Sequence, residues 1–323
     1  MRRGGVDVVV PSFRRPVALG QCLAGLAAQE RAPDRIVVAV RSDDAPTWDV
    51  ATDAARELPV VVAPVEVAGF VPALAAGVAA TQHPHVAFTD DDAVPHPHWL
   101  AGLVALLDEP GVGVAGGRDL VPGELEPGRH DVGKLARWGR YTGDHHLGRG
   151  PARDVHVVKG VNMAFRDDAL AVPRPGALRG VGTQMHTEEL MCAWARARGW
   201  RVRYDPAITV DHRVPRDESL AGRPDPRGSL EGRRASAHNR MLGTIATDPD
   251  RAGVHIAYGL LVGCREAPGA ARALWALARG EMEVLRYTRA ALAGTWSAVR
   301  DDVSLDDALL SCKLLRQERA ACG

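Results

Sequence analysis

Four short Val-rich runs recur along the first part of the chain, each separated from the next by about one helix's length of sequence. They are Val6 to Val10, Ile36 to Val40, Val60 to Val62 and Val86 to Phe88. Apart from Asp7 in the first, each is apolar throughout rather than alternating. A strand of that kind has to be covered on both faces. The stretches between them carry helical spacing, as in Leu19, Cys22, Leu23 and Leu26, then from Trp48 to Leu58 and from Val71 to Ala80. Strands alternating with helices in this way predict an α/β fold with a mostly parallel central sheet, right-handed crossovers and helices on both faces.

The fourth run stops abruptly in Asp90-Asp91-Asp92. In an open α/β sheet, ligands bind beyond the carboxyl ends of the strands. Adjacent carboxylates repel, so an acidic triplet placed there calls for a cation. A hard divalent ion, shared between carboxylates and a phosphate-bearing ligand, suits it. A solvated acidic turn is the competing explanation for three aspartates alone.

Composition narrows the classes. Lys plus Arg and Asp plus Glu both number 40, so the formal net charge is zero and no global attraction to nucleic acid is implied. The five cysteines, Cys22, Cys192, Cys264, Cys312 and Cys322, are scattered and form no CxxC pair. That suggests neither a disulfide framework nor a cysteine zinc site, and a reducing, cytoplasmic setting is expected. Neither a signal peptide's apolar stretch nor a bilayer-spanning run is found.

Beyond the acids, Pro95-His96-Pro97-His98-Trp99-Leu100 opens a helix to about Leu107, and residues 118 to 156 look irregular. Val155 to Phe165 is strand-like. A helix from Thr187 to Arg198 stops at Gly199, and strands follow at Trp200 to Tyr204 and Ala207 to Asp211. The expected organisation is a domain over 1–214, a Pro/Gly/Arg-rich linker over 215–236, and a helical C-terminal region over 237–323. Gly111, Gly113 and Gly116 match GxGxxG but follow a helix instead of opening one, so they are no dinucleotide fingerprint. The pairs His96/His98 and His145/His146 lack partners at zinc spacing and read as loop residues. His212, at the end of a strand, suits Mn²⁺ or a similar ion but is an ordinary loop histidine if taken alone. Glu188 and Glu189 open a helix. Either is a candidate general base, and the helix dipole would favour both without any catalytic role.

Taken in order, these features resemble a GT-A-type inverting glycosyltransferase of the family 2 kind, over roughly residues 6 to 213. Val-Val-Val-Pro11-Ser12-Phe13-Arg14-Arg15-Pro16 is similar to that family's first strand and helix. Thr89-Asp90-Asp91-Asp92 with Pro95, Trp99 and Leu100 is similar to its DXD region. Lys159-Gly160-Val161-Asn162-Met163-Ala164-Phe165-Arg166 is similar to a segment lining the sugar-acceptor cleft. Glu188 stands where the family places its catalytic carboxylate, ahead of Gly199-Trp200, and His212 where many members carry a metal-side histidine.

The resemblance implies roles. Pro11, Ser12, Phe13 and Arg15 would cradle the nucleotide, and Asp43 or Asp44 would contact its base or ribose. Asp90 and Asp91 with Lys159, Gly160 and Asn162 would complete the nucleotide-sugar site. Asp92, Asp90 and His212 would hold Mn²⁺ or Mg²⁺, Asp92 most directly, and Glu188, with Glu189 as rival, would deprotonate an acceptor hydroxyl. The donor would be a nucleoside-diphosphate sugar, UDP by family habit. The sequence departs from the pattern at Arg41-Ser42-Asp43-Asp44, at Ala76 beside Gly77 and at Thr187-Glu188, which blurs the base and ribose contacts. A non-catalytic scaffold and another metal-dependent nucleotidyl or phosphoryl enzyme are the alternatives, but the first loop lacks the glycines of a phosphate loop. In the C-terminal region Arg265, Arg272, Arg279, Arg286 and Arg289 alternate with Leu and Trp. This suits packing on the core first, and a peripheral membrane or homodimer contact second.

Overall fold

All four Val-rich runs are strands of one sheet in the computed structural model, which describes residues 4–123, 128–182, 184–213, 228–301 and 303–322. In chain order, β1 (Val6–Ser12) leads to α1 (Pro16–Ala27), β2 (Arg35–Arg41) to α2 (Ala45–Ala54), and β3 (Val60–Val65) to α3 (Phe70–Ala79). Then β4 (His85–Phe88) runs through the three aspartates into the short β5 (Ala93–Pro95). Next come α4 (Trp99–Leu107), β6 (Val112–Leu120) and a small hairpin of β7 (Lys134–Leu135) and β8 (Tyr141–Thr142). The core fold continues through β9 (Arg153–Val155), β10 (Met163–Arg166), β11 (Ala171–Pro173), α5 (Thr187–Ala197) and the long β12 (Arg201–His212).

The sheet runs β3-β2-β1-β4-β10-β6-β12-β5, with β9 also on β12. The pairs β1–β2, β2–β3, β1–β4 and β6–β12 are parallel, and β10 is inserted antiparallel between β4 and β6. Period-two alternation sorts the apolar runs into two cores. Val6, Val8, Val10, Ile36, Val38 and Val40 face the side covered by α1 and α4. Val9, Val37, Ala39, Val86 and Phe88 face the side covered by α3 and α5. That double burial is why these runs are apolar at almost every position, Asp7 excepted.

The two strands read at 200–204 and 207–211 are one strand, β12, with a register shift between Asp205 and Thr209. The irregularity is built on close approach. A Cβ on Gly117 would lie 2.0 Å from the Ile208 carbonyl oxygen, so only glycine lets β12 cross there.

Residues 215–227 of the expected linker lie outside the described residues. The rest of it is helical: α6 (Leu230–Thr247) starts seven residues before position 237, capped by Ser229, whose hydroxyl accepts the Gly232 N–H at 2.9 Å. Then follow α7 (Ala252–Leu261), α8 (Ala270–Ala278), α9 (Met282–Asp301), α10 (Leu305–Ala308), β13 (Leu309–Ser311) and α11 (Cys312–Cys322). Met241, Leu242, Ala298, Leu309, Cys312 and Leu315 belong to the same core as Val9 and Phe88. β13 pairs with β11, and Arg316 donates to the Thr81 hydroxyl and the His83 carbonyl. The C-terminal region therefore completes one face of the sheet. Among the described residues no helix is long and apolar enough to cross a membrane.

Candidate active site

Because β1, β2 and β4 run parallel, their carboxyl ends bring the loops after Ser12, Arg41 and Phe88 to one edge of the sheet. The middle acid of the triplet turns back to β1. The Ser12 hydroxyl donates to Asp91 at 2.7 Å, and Arg15 bridges Asp91 at 2.9 Å and Asp92 at 2.6 Å. Asp90 and Asp92 are left on the cleft side. Pairing of β5 with the end of β12 then sets His212 opposite Ala93, and the Arg213 N–H donates to the Asp92 carbonyl at 2.9 Å. This register places His212 Nε2 3.6 Å from Asp92 Oδ1. One ligand atom from each of Asp90, Asp92 and His212 lies within 4.8 Å of the others.

The charges respond to that crowding. Burial, with the charge of Asp92 next, raises Asp90 to about 6. Asp92 is lowered: burial opposes its ionisation, but His212 and Arg15 outweigh it. For His212 burial favours the neutral ring, yet Asp119 and Asp92 overcome this and hold it at about 9. The His212 imidazolium and the Arg15 guanidinium are thus the cations set against the acidic cluster.

Asp119, on β6, was not anticipated. It is fully buried, accepts from Lys159, and lies 3.5 Å from His212 Nδ1. The signal for it is weak: an acid next to Arg118 at the end of a Val/Gly-rich run, visible only if β6 is extended to Leu120.

The two glutamates separate clearly. Glu189 is held by His186 Nδ1 at 2.8 Å and packs against Gly243 of α6. Its pKa is lowered, since the His186 charge outweighs burial, and that of His186 is raised by Glu189 despite burial. Among the described residues no such cation is paired with Glu188. Burial and then the charge of Glu189 raise it to about 7, with Asp90 adding to the effect across the cleft. The turn before α5 is fixed from the C-terminal region. Asn239 of α6 accepts the Arg179 N–H at 2.8 Å and donates to the carbonyls of Arg179 and Met185 at 3.0 and 3.1 Å. Each of these buried bonds contributes about 1 kcal/mol. Asn239→Ala is expected to lower stability by roughly 2–4 kcal/mol, read as a urea midpoint shift, and to displace the segment that carries Glu188.

The remaining anticipated residues are placed as follows. Pro11 and Phe13 line the loop after β1, partly buried, with the Arg14 guanidinium 4.9 Å from the Phe13 ring centroid. Asp44 is buried and accepts the N–H of Arg14, whose φ of 54° needs that support. Asp43 is exposed and paired with Arg41 at 3.0 Å. Gly160 opens a short 3₁₀ turn with open space at its Cβ position. Asn162 points inward: its Oδ1 accepts from the Trp99 indole at 2.9 Å, and its Nδ2 donates to the Arg118 and Ile208 carbonyls at 3.1 and 3.0 Å. It is fully buried and braces the β6–β12 irregularity behind the cleft. His96 likewise braces β5 against β12, bonding Asp211 at 2.9 Å and Thr209 at 3.0 Å.

A family model described as glycosyltransferase like family 2 matches residues 3–225. The chain belongs to that family. This glycosyltransferase also has the fold of solved GT-A enzymes. A mannosyltransferase from Pyrobaculum calidifontis, in complex with GDP-Man and Mn²⁺, is 17% identical and aligns over 94% of this chain and 89% of that chain, with a TM-score of 0.53. Glucosyl-3-phosphoglycerate synthase from Mycobacterium tuberculosis, in complex with Mn²⁺, UDP and phosphoglyceric acid, is 19% identical over 77% of this chain and 79% of that chain, with a TM-score of 0.48. No curated protein matches the chain in sequence. The family and the fold agree with the resemblance drawn from the motifs, and the enzyme class follows from the family.

Proposed function

We propose that this glycosyltransferase moves a sugar from a nucleoside-diphosphate donor to an acceptor hydroxyl, with inversion at the anomeric carbon and a divalent ion, Mn²⁺ or Mg²⁺. The observation that carries the proposal is the convergence of Asp90, Asp92 and His212 within 4.8 Å, with Glu188 near enough to sense Asp90. The donor set fits such an ion. Two carboxylates and an imidazole suit Mn²⁺ well, and a divalent cation would offset the burial and the Asp92 repulsion that raise Asp90. Asp90, Asp92 and His212 would hold it, and when bound it supplies positive charge against the diphosphate leaving group.

The other steps belong to the chain's own residues. Ser12, Phe13 and Arg15, at the end of β1, receive the nucleotide, with Pro11 shaping the loop. Asp43 is the exposed candidate for base or ribose, since Asp44 is committed to the Arg14 turn. Asp91 holds Ser12 and Arg15 in place. Glu188 takes the proton of the acceptor hydroxyl as that oxygen attacks the anomeric carbon. The bond from carbon to the diphosphate oxygen breaks, and its electron pair leaves with the diphosphate. Attack from the face opposite the leaving group inverts the centre. UDP is the first nucleotide to test. A peripheral membrane or homodimer contact would rest on α8, where Leu274 and Leu277 are 68% and 59% exposed and Arg272 and Arg279 lie over Trp275.

The deciding experiment is a titration of UDP-, dTDP- and GDP-sugars, with and without Mn²⁺, on wild type and Asp92→Asn. Metal-dependent binding of one nucleotide class, lost in the variant, is the expected result. No binding across the panel by folded protein would sink the proposal.

Proton competition adds a pH signature. A ligating imidazole must be neutral, and His212 holds its proton up to about 9. Ion binding therefore releases that proton at neutral pH, and Mn²⁺ affinity should rise about tenfold per pH unit toward 9. Below about 6 the slope should steepen, because Asp90 must also lose a proton. Calorimetry in buffers of different ionisation enthalpy counts the protons. A flat affinity between pH 6.5 and 8.5 (roughly the window in which, of the three ligands, only His212 titrates) would remove His212 from the ligand set.

A further inference from the structure

Asp119 has no role in the chemistry above, yet no part of its side chain reaches solvent. A carboxylate so placed is costly unless cations face it. Two groups do. Lys159 donates to Oδ2, and His212 Nδ1 stands 3.5 Å from the same oxygen. The strand register explains the encounter. Asp119 pairs with Val210 in the β6–β12 ladder, and Val210 lies two residues before His212 on the same strand.

The two ring nitrogens of His212 face different carboxylates. Nε2 is directed to Asp92, 3.6 Å away, on the cleft side, and Nδ1 to Asp119 on the buried side. An ionised carboxylate can only accept a hydrogen bond. With its proton on Nδ1, the nitrogen that faces Asp119, the ring turns its Nε2 lone pair toward Asp90 and Asp92. Lys159 balances the charge of Asp119, so the influence of this acid on the cleft is directional rather than a further negative charge.

We propose that Asp119 is a positioning residue for the metal centre: it accepts the Nδ1–H of His212, fixing the ring's tautomer and orientation, while Lys159, bonded to the same carboxylate, balances its charge. The arrangement is that of a ligating histidine whose outer nitrogen is held by a carboxylate. It rests on the assignment of Asp90, Asp92 and His212 as ligands.

The test is Mn²⁺ binding, read from the free-ion EPR signal, on the full chain as wild type, Asp119→Asn, His212→Ala and the double variant. Asp119→Asn is expected to weaken Mn²⁺ by about 10–100-fold, and His212→Ala by at least as much. The double variant should be no weaker than His212→Ala alone, because Asp119 acts through the ring. If wild type fails to bind, or His212→Ala binds like wild type, the ligand assignment falls and this proposal with it. If His212→Ala loses affinity while folded Asp119→Asn keeps it, or if the two losses add in the double variant, only the role of Asp119 is overturned. Should Asp119→Asn fail to fold, ¹⁵N NMR of wild type with diamagnetic Zn²⁺ decides. A proton on His212 Nδ1 with Nε2 ligated supports the proposal, and the reverse tautomer ends it.

Discussion

Glu188→Gln is expected to lower kcat by about 10²–10⁴-fold while Mn²⁺ and donor affinities stay near those of wild type. A glutamine keeps the size and polarity of the side chain but cannot take a proton. The proposal favours Glu188 because Glu189 is ion-paired with His186 at 2.8 Å and packed against α6. Glu189→Gln should therefore lower the unfolding midpoint by loosening the start of α5, with a smaller loss of kcat. A general base must be ionised to work, and Glu188 is raised to about 7, first by burial and then by Glu189. Activity should fall as pH drops through the titration of Glu188. A divalent ion beside Asp90 opposes the upward push, so the acid limb of kcat/KM should lie at or below 7 and move lower as Mn²⁺ is raised. A Glu188→Gln enzyme with near-normal kcat would transfer the base assignment elsewhere.

Asp92→Asn is expected to abolish metal-dependent donor binding and to cut transfer on the order of 10³-fold or more at fixed Mn²⁺. A divalent ion at a leaving diphosphate is worth several kcal/mol, and each 1.4 kcal/mol is tenfold in rate. The fold should survive, because Arg15 keeps Asp91 as partner at 2.9 Å. The companion variant Asp90→Asn separates function from stability. Asp90 titrates at about 6 in the folded chain, above the ordinary carboxylate value, so its ionised form opposes folding above that pH. Removing the charge should raise the thermal midpoint of metal-free protein at pH 8 while weakening Mn²⁺ binding. Equal loss of stability and of metal binding would argue against a strained acidic cluster built for a cation. The same accounting gives His212 the opposite sign. Its folded pKa is raised to about 9, so its contribution is fully present below the unfolded value and is lost as pH rises through 9.

Much of the fold was legible from local pattern. The Val-rich runs were apolar on both faces because both faces are covered, and their separation by helices implied parallel crossovers. The acidic triplet could be placed at a strand's carboxyl end without any structure. The C-terminal region was harder. Its helices were visible, but its short strand β13 was not, since three residues paired with β11 leave no periodicity to detect. The start of α6 was also missed, because a polar, Arg-rich first turn looks like loop until its later residues are seen to be buried.

The site divides along the same line. Residue type and order along the chain were enough to gather Asp90, Asp91, Asp92, Glu188, Glu189 and His212 as candidates. Sorting them depended on contacts between distant segments. Asp91 was assigned to the donor from its motif, and its carboxylate in fact braces Ser12 and Arg15. Asn162 matched a cleft segment but is turned into the sheet, bonded to Trp99 and to two carbonyls at the β12 irregularity. Asp119 and Asn239 carried no motif. One matters because the β6–β12 register sets it beside His212, the other because α6 crosses the turn before α5. Side-chain periodicity is a local property and is written in the sequence. Which of several equivalent carboxylates meets a cation, and which meets open cleft, is set by strand register and helix crossing between segments far apart in the chain, and only the folded structure settles that.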